Sequence, residues 1–174
     1  MARLTILVSG EGKLMRRLLD SAFFNEIKEL EVAGVVSSNP QAPALARARN
    51  LQVPAFVVDA ELFPNTASYC TALQNKLRDI DTDLVVLDGF LPALGCAGKY
   101  FSGRILGVKL AAEQTSMEIS VYVSGEQGGV GRVLSRDSVA LTEEDTQEGF
   151  TRRVYDRAEA MLMAEIRAFC TKDN

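Results

Sequence analysis

The sequence predicts an α/β fold on a mixed sheet, parallel in its N-terminal half, extended by antiparallel strands and closed by a helix. Two patterns carry this reading. Through residue 88, short apolar runs alternate with amphipathic segments of helix length. From Arg104 the helices stop, and apolar residues fall at every second position. Composition agrees: 174 residues, 47% hydrophobic and 24% charged, suffice for one domain over residues 1–174 with a full core and no disulfide or metal staples.

Leu4 to Ser9 reads as a buried strand, after which Leu14, Leu18, Leu19, Ala22 and Phe23 share one helical face. Val32 to Ser37 is a second strand. Pro43 suits the first position of the next helix, continued by Leu45, Ala48 and Leu51. Ala55 to Val58 is a third strand, and Tyr69, Leu73, Leu77 and Ile80 form the stripe of a third helix. Leu84 to Leu87 is wholly apolar, as in a strand covered on both faces. Beyond Arg104, Met117, Ile119, Val121 and Val123 alternate with Glu118, Ser120 and Tyr122, which predicts an antiparallel strand with one wet face. Gly125 to Gly129 should turn the chain into a last strand near Arg132 to Val139. Thr142 is then expected to cap a long helix, with Glu143, Glu144 and Asp145 in its first turn and Phe150, Val154, Ala158, Met161 and Phe169 facing inward.

Several function classes recede on composition. A formal net charge of −4 argues against a nucleic-acid partner, whose phosphates require clustered Lys and Arg. Cys70, Cys96 and Cys170 are odd in number and widely spaced, and with no histidine in the chain they suggest neither a disulfide framework nor a metal site. The apolar run Leu4 to Val8 is too short for a signal peptide, and no stretch approaches a membrane span, so the expected location is the cytoplasm with no membrane partner. The missing histidine also removes the side chain that most often moves protons near neutral pH.

Two places in such a sheet can carry chemistry. Ser9-Gly10-Glu11-Gly12-Lys13 leads from the first strand into the first helix, where free backbone N–H groups and the helix dipole can hold an anion. Gly10, Glu11, Gly12 and Lys13 are the candidate residues, and plain turn chemistry is the alternative. Lys13, Arg16 and Arg17 crowd this helix start, which the dipole disfavours unless an anion is present. The second place is the carboxyl edge of the fourth strand, Asp88-Gly89-Phe90, beyond which the ligand crevice of an open α/β sheet lies. Asp88 there can bind a ligand donor, act as an acid-base, or cap the short helix that follows.

Read together, Leu4 to Gly12, Ala44 to Asn50, Asp83 to Leu91, Gly103-Arg104-Ile105-Leu106 and Gly128-Gly129 resemble, in order and spacing, the phosphoribosylglycinamide formyltransferase family over nearly the whole chain. The resemblance implies a formyltransferase-like, Rossmann-like fold. It also implies transfer of a formyl group from 10-formyltetrahydrofolate to the amine of glycinamide ribonucleotide, in purine synthesis and one-carbon metabolism, without a metal. By the same resemblance, Asp88, Gly89 and Phe90 form the folate edge, and an Asn, a His and an Asp carry the transfer. Here those three positions hold Gly107, Lys109 and Gln127. The family's carboxylate on the last helix aligns with Ala158, beside Glu159, and the loop that covers the substrate is reduced to a few residues after Leu110.

Three readings follow. The first is a family member without transfer activity that binds a small phosphorylated or nucleotide-like ligand and serves as a binding or regulatory module. The second is an active transferase with a rebuilt site using Lys109, Asp88 or Glu126, with Lys109 placed at a strand end beside the cleft. The third is a structural protein with a vestigial site. The sequence carries no signal of oligomeric state.

Overall fold

The computed structural model describes residues 1–24, 26–125 and 128–172. Its strands are β1 (Ala2–Val8), β2 (Leu30–Ser37), β3 (Ala55–Val57), β4 (Leu84–Asp88), β5 (Ile105–Ala112), β6 (Ser116–Ser124) and β7 (Val130–Ala140). The helices are α1 (Met15–Phe23), α2 (Pro43–Asn50), α3 (Thr66–Asp79), α4 (Gly95–Tyr100) and α5 (Gln147–Lys172). The seven strands form one sheet in the order β3-β2-β1-β4-β5-β6-β7. The chain leaves β1 toward β2 and β3, then returns to β4 on the other side of β1. The order therefore reverses between β1 and β4, the position at which an open α/β sheet leaves a crevice beyond its strand ends.

The parallel part runs one strand further than the alternation of the sequence predicts. β5 lies parallel to β4, reached through the short helix α4, and antiparallel pairing starts only with β6 and β7. A parallel neighbour needs a crossover, and the connection from Gly89 to Arg104, which carries α4, supplies it.

The sheet is covered on both faces. Leu4, Ile6, Val8, Leu84, Val86, Leu106, Ile119 and Val121 pack with residues of α1, α2 and α5, including Leu18, Ala44, Val154, Ala158 and Ile166. Leu7, Val36, Val85 and Ile105 pack on the other face with Tyr69, Leu73 and Leu77 of α3 and Ala97 of α4. Strand periodicity explains the division, since successive residues of β1 and β4 serve opposite layers.

Two local expectations are corrected. The polar face of β6 is not wet: Ser120, Tyr122 and Ser124 are all buried. Serines can be buried because their hydroxyls are satisfied nearby, Ser120 Oγ by Glu118 at 3.3 Å and Ser124 Oγ by the Gly125 carbonyl at 3.2 Å. The cap of α5 is Thr146, whose Oγ1 accepts from Gly149 N–H at 3.1 Å, and Glu148 is the acid of the first turn. Thr142 instead opens the preceding turn, donating its N–H and hydroxyl to Asp145 at 2.9 and 2.8 Å. Arg153 holds the same carboxylate from α5.

Candidate functional site

The crevice lies where the β1–α1 loop faces the end of β4. Gly12 adopts φ +64, which turns the backbone into α1; a Cβ there would sit 3.2 Å from the Cβ atoms of both Ala44 and Met15. Arg47 of α2 fixes the loop from outside by donating to the carbonyls of Glu11 and Gly12 at 3.0 and 3.3 Å. Gly10, Glu11, Gly12, Lys13, Asp88 and Gly89 meet there, with Val108, Leu110 and Tyr155, around a groove of about 590 Å³. Lys13 reaches across it, its Nζ 5.2 Å from the centre of the Tyr155 ring on α5.

Asp88 does something the sequence did not reveal. It is 6% exposed, and its Oδ2 accepts from the N–H groups of Leu14 at 2.9 Å and Met15 at 2.8 Å. It caps α1, not the helix that follows it in sequence; α4 starts at Gly95 with no side-chain cap. Parallel pairing sets Asp88 beside Val8, at the root of the loop, so its side chain reaches the start of α1 directly. Leu14 offers α1 no cap of its own. The anion that Lys13, Arg16 and Arg17 require at this helix start is therefore supplied by the chain. Burial pushes the Asp88 carboxyl above its ordinary range, against the pull of the Met15, Leu14 and Lys13 amides and of Arg47.

The predicted transfer positions are arranged as follows. Leu7, Leu87, Gly107 and Tyr122 lie in one row across β1, β4, β5 and β6. A Cβ on Gly107 would fall 2.5 Å from the Tyr122 hydroxyl oxygen and closer still to the ring. The Tyr122 ring thus occupies the place where a side chain at position 107 would project. Burial raises the Tyr122 phenol above its ordinary value. Lys109 lies inside β5, paired with Ser120, and is exposed; it is neither at the strand end nor desolvated. The β5 residues that line the groove are Val108 and Leu110, of opposite parity to Lys109. Gln127 and Glu126 lie outside the described residues.

The folate-edge positions separate. Gly89 and Phe90 line a second cleft of about 490 Å³ together with Leu94, Val108, Tyr122 and Gly128. Asp88 turns away from that cleft into the α1 loop. Ala158 is fully buried in the core, while Glu159 beside it is half-buried, and burial raises its carboxyl with the nearby Asp156. Between β5 and β6 the chain needs only Glu113 to Thr115, closed by Glu113 N–H to the Ser116 carbonyl at 2.9 Å, so no long loop covers the groove at this point. Among the described residues, no helix is long and apolar enough to cross a membrane.

The comparisons fit this geometry. A family model described as formyl transferase matches residues 2–108, ending one residue before Lys109. The chain is 28% identical over 171 residues to the trifunctional purine biosynthetic protein adenosine-3 of Bos taurus, covering 88% of this chain and 17% of that protein. It is 25% identical to the phosphoribosylglycinamide formyltransferase of Escherichia coli, covering 91% of this chain and 82% of that enzyme. The chain thus spans about a sixth of the length of the trifunctional protein. The crystal structure of glycinamide ribonucleotide transformylase 1 from Symbiobacterium toebii superposes with a TM-score of 0.88 at 25% identity, over 99% of this chain and 89% of that one. With a family match over residues 2–108 and a fold shared over nearly its whole length, the chain belongs to the formyl transferase family.

Proposed function

We propose that this protein is a single formyltransferase-like domain of the cytoplasm that does not transfer formyl groups and serves as a ligand-binding or regulatory module. Its ligand is a small phosphorylated or nucleotide-like molecule held in the groove at Gly10, Glu11, Gly12 and Lys13. The observation that carries the reading is the Tyr122 ring against Gly107. The position is not merely stripped of a donor. It is filled, so restoring an amide side chain at 107 requires the ring to leave.

The residues do not fit 10-formyltetrahydrofolate as a formyl donor, although Gly89 and Phe90 wall a cleft beside Tyr122. The donors that the resemblance implies on β5 are absent: Gly107 has no room for one, and Lys109 is exposed. An oxyanion donor or a positioned acid-base each contributes roughly a hundredfold or more in rate, and groups that act together do not leave partial function when all are lost.

The test supplies purified protein with glycinamide ribonucleotide and 10-formyltetrahydrofolate and follows deformylation of the folate, with Lys109→Ala beside it. No turnover above the uncatalysed rate is expected from either. Robust turnover that Lys109→Ala abolishes would replace this reading with a rebuilt enzyme. Binding is read separately by thermal shift with a panel of phosphorylated nucleosides and sugars from pH 5 to 8, since a ligand specific for the folded state must raise its stability. Lys13→Glu should diminish that shift without unfolding the chain, because Lys13 is exposed.

A further inference from the structure

α3 and α4 cover the face of the sheet opposite α1, and where they meet two of the three cysteines share one cleft. The cleft holds about 490 Å³ and is lined by Thr66, Thr71, Ala93 and Lys99 besides Cys70 and Cys96. Gly95 lets the two helices close: a Cβ there would fall 2.6 Å from Cys70 Sγ. The next residue, Cys96, donates its backbone N–H to the same sulfur. Cys96 Sγ rests 3.8 Å from Thr71 Oγ1, beside Cys70 on α3. A disulfide needs Cβ atoms about 4 Å apart. With Cys96 Cβ two bonds from a nitrogen that touches Cys70 Sγ, the pair is within a small adjustment of that distance. Cys170 packs in the other layer of the core, on α5. We propose that Cys70 and Cys96 are a redox pair that closes as a disulfide between α3 and α4, and that in its reduced form holds the wall of the second cleft through Ala93.

Cys96 is half-buried and meets the oxidant, a low-molecular-weight disulfide. Cys70 is 2% exposed, and burial, with the Cys96 thiol beside it, raises its thiol above the ordinary value. The Cys96 thiolate attacks one sulfur of the oxidant, forming a mixed disulfide and releasing one thiolate. Cys70 then gives up its proton and attacks Cys96 Sγ, releasing the second. Two protein thiols are oxidised by two electrons, the external disulfide is reduced to two thiols, and the two protons leave with them. Such a pair suits a reducing compartment, where disulfides are transient and act as sensors. In the reduced chain the Cys70 S–H donates to the Ala93 carbonyl at 3.3 Å. The disulfide has no S–H, so Ala93 loses that donor. Leu91 to Leu94 wall the second cleft, tied at their other end by Leu91 N–H to Ser9 Oγ at 3.0 Å. Oxidation thus loosens this wall at Ala93, while the pair itself lies outside the groove of Gly10 to Lys13.

The full chain, first reduced, is equilibrated with glutathione disulfide at pH 7.5, its remaining thiols are blocked, and a digest is read by mass spectrometry. A linked pair of peptides carrying Cys70 and Cys96 is expected, with loss of two hydrogens from the intact mass, reversed by dithiothreitol. Single variants separate the steps. Cys70→Ser should keep glutathione on Cys96, whereas Cys96→Ser should take it up at Cys70 about tenfold more slowly. Cys170→Ser should behave as the parent. The amide resonances of Ala93 and Leu94 should move when the parent is oxidised and stay in place in Cys96→Ser. No link, a link through Cys170 or between chains, or stable glutathione on Cys96 of the parent would each overturn the proposal. So would unmoved Ala93 and Leu94 resonances in a linked chain. The parent measurements use no variant, so if Cys70→Ser fails to fold they decide the outcome alone.

Discussion

The start of α1 lines the groove below the β1–α1 loop, Tyr122 packed on Gly107 of β5 lines the neighbouring cleft of Gly89 and Phe90, and both places are filled by another part of the chain. At α1 the occupant is a charge: Asp88 arrives from β4 and satisfies two amides. At β5 the occupant is volume: the Tyr122 ring arrives from β6 and covers Gly107. The first kind of filling is a carboxylate and can titrate. The second can be undone only by moving a ring in a packed sheet. Two neighbouring clefts are thus occupied in different ways, one by a hydrogen-bonded charge and one by a packed ring.

The sharpest way to break that contrast is to force a side chain into β5. Gly107→Asn should cost about 3 kcal/mol, the upper range for overpacking, measured by chemical denaturation. Combined with Tyr122→Ala it should cost far less than the two single changes together, since residues in contact couple strongly. Simple additivity would mean that the ring does not hold the space. The next effect is at α1, where Asp88→Ala leaves two buried amides without an acceptor and should cost about 2 kcal/mol. A variant as stable as the parent would show that water replaces the carboxylate freely.

A smaller effect separates the two sides by pH. The raised carboxyl of Asp88 keeps its proton longer in the folded chain than in the unfolded one, whose ordinary value is 3.8. Its contribution is therefore fully present below about that pH and is lost as pH rises through the raised value. The stability of the parent relative to Asp88→Asn should fall as pH rises from 4 to 7, whereas the Gly107→Asn difference should stay flat. A flat Asp88 curve would remove the reversibility on which the contrast depends. Smallest is Lys13→Ala, which removes the contact with Tyr155 and should cost about 0.5 kcal/mol; a loss several times larger would make Lys13 part of the scaffold.

Elements with a clear period were legible in the sequence. The all-apolar Leu84 to Leu87 announced a covered parallel strand, and Pro43 marked the start of α2. What escaped was whatever depends on which residues become neighbours. The pairing of Gly107 with Tyr122 exists only once the β5–β6 register is set, so a glycine in the family's Asn position read as a loss when it is one half of a fit. The sequence left Asp88 open as a ligand partner, an acid-base or a cap of the helix that follows it; parallel pairing with Val8 brings it to the start of another helix. Thr142 lost its expected place to Thr146 because the Asp145 side chain claimed its N–H and hydroxyl for a turn. Neither competition has a sequence period. Lys109 read as a groove residue from its alignment, but strand parity gives the groove wall to Val108 and Leu110.

The cap of α1 also bears on when this fold can be assembled. The residue that completes the helix start lies 74 positions downstream of Leu14, on a strand that must first dock beside β1. An isolated nine-residue helix is marginal in water, and this one has no cap of its own. As the chain emerges during synthesis, α1 must therefore wait for Asp88 before its first turn is secured. Docking of β4 and locking of α1 become one cooperative event with a long loop to close. In native-state hydrogen exchange, the Leu14 and Met15 amides should open with β4 as a unit, and not fray with the loop that carries them.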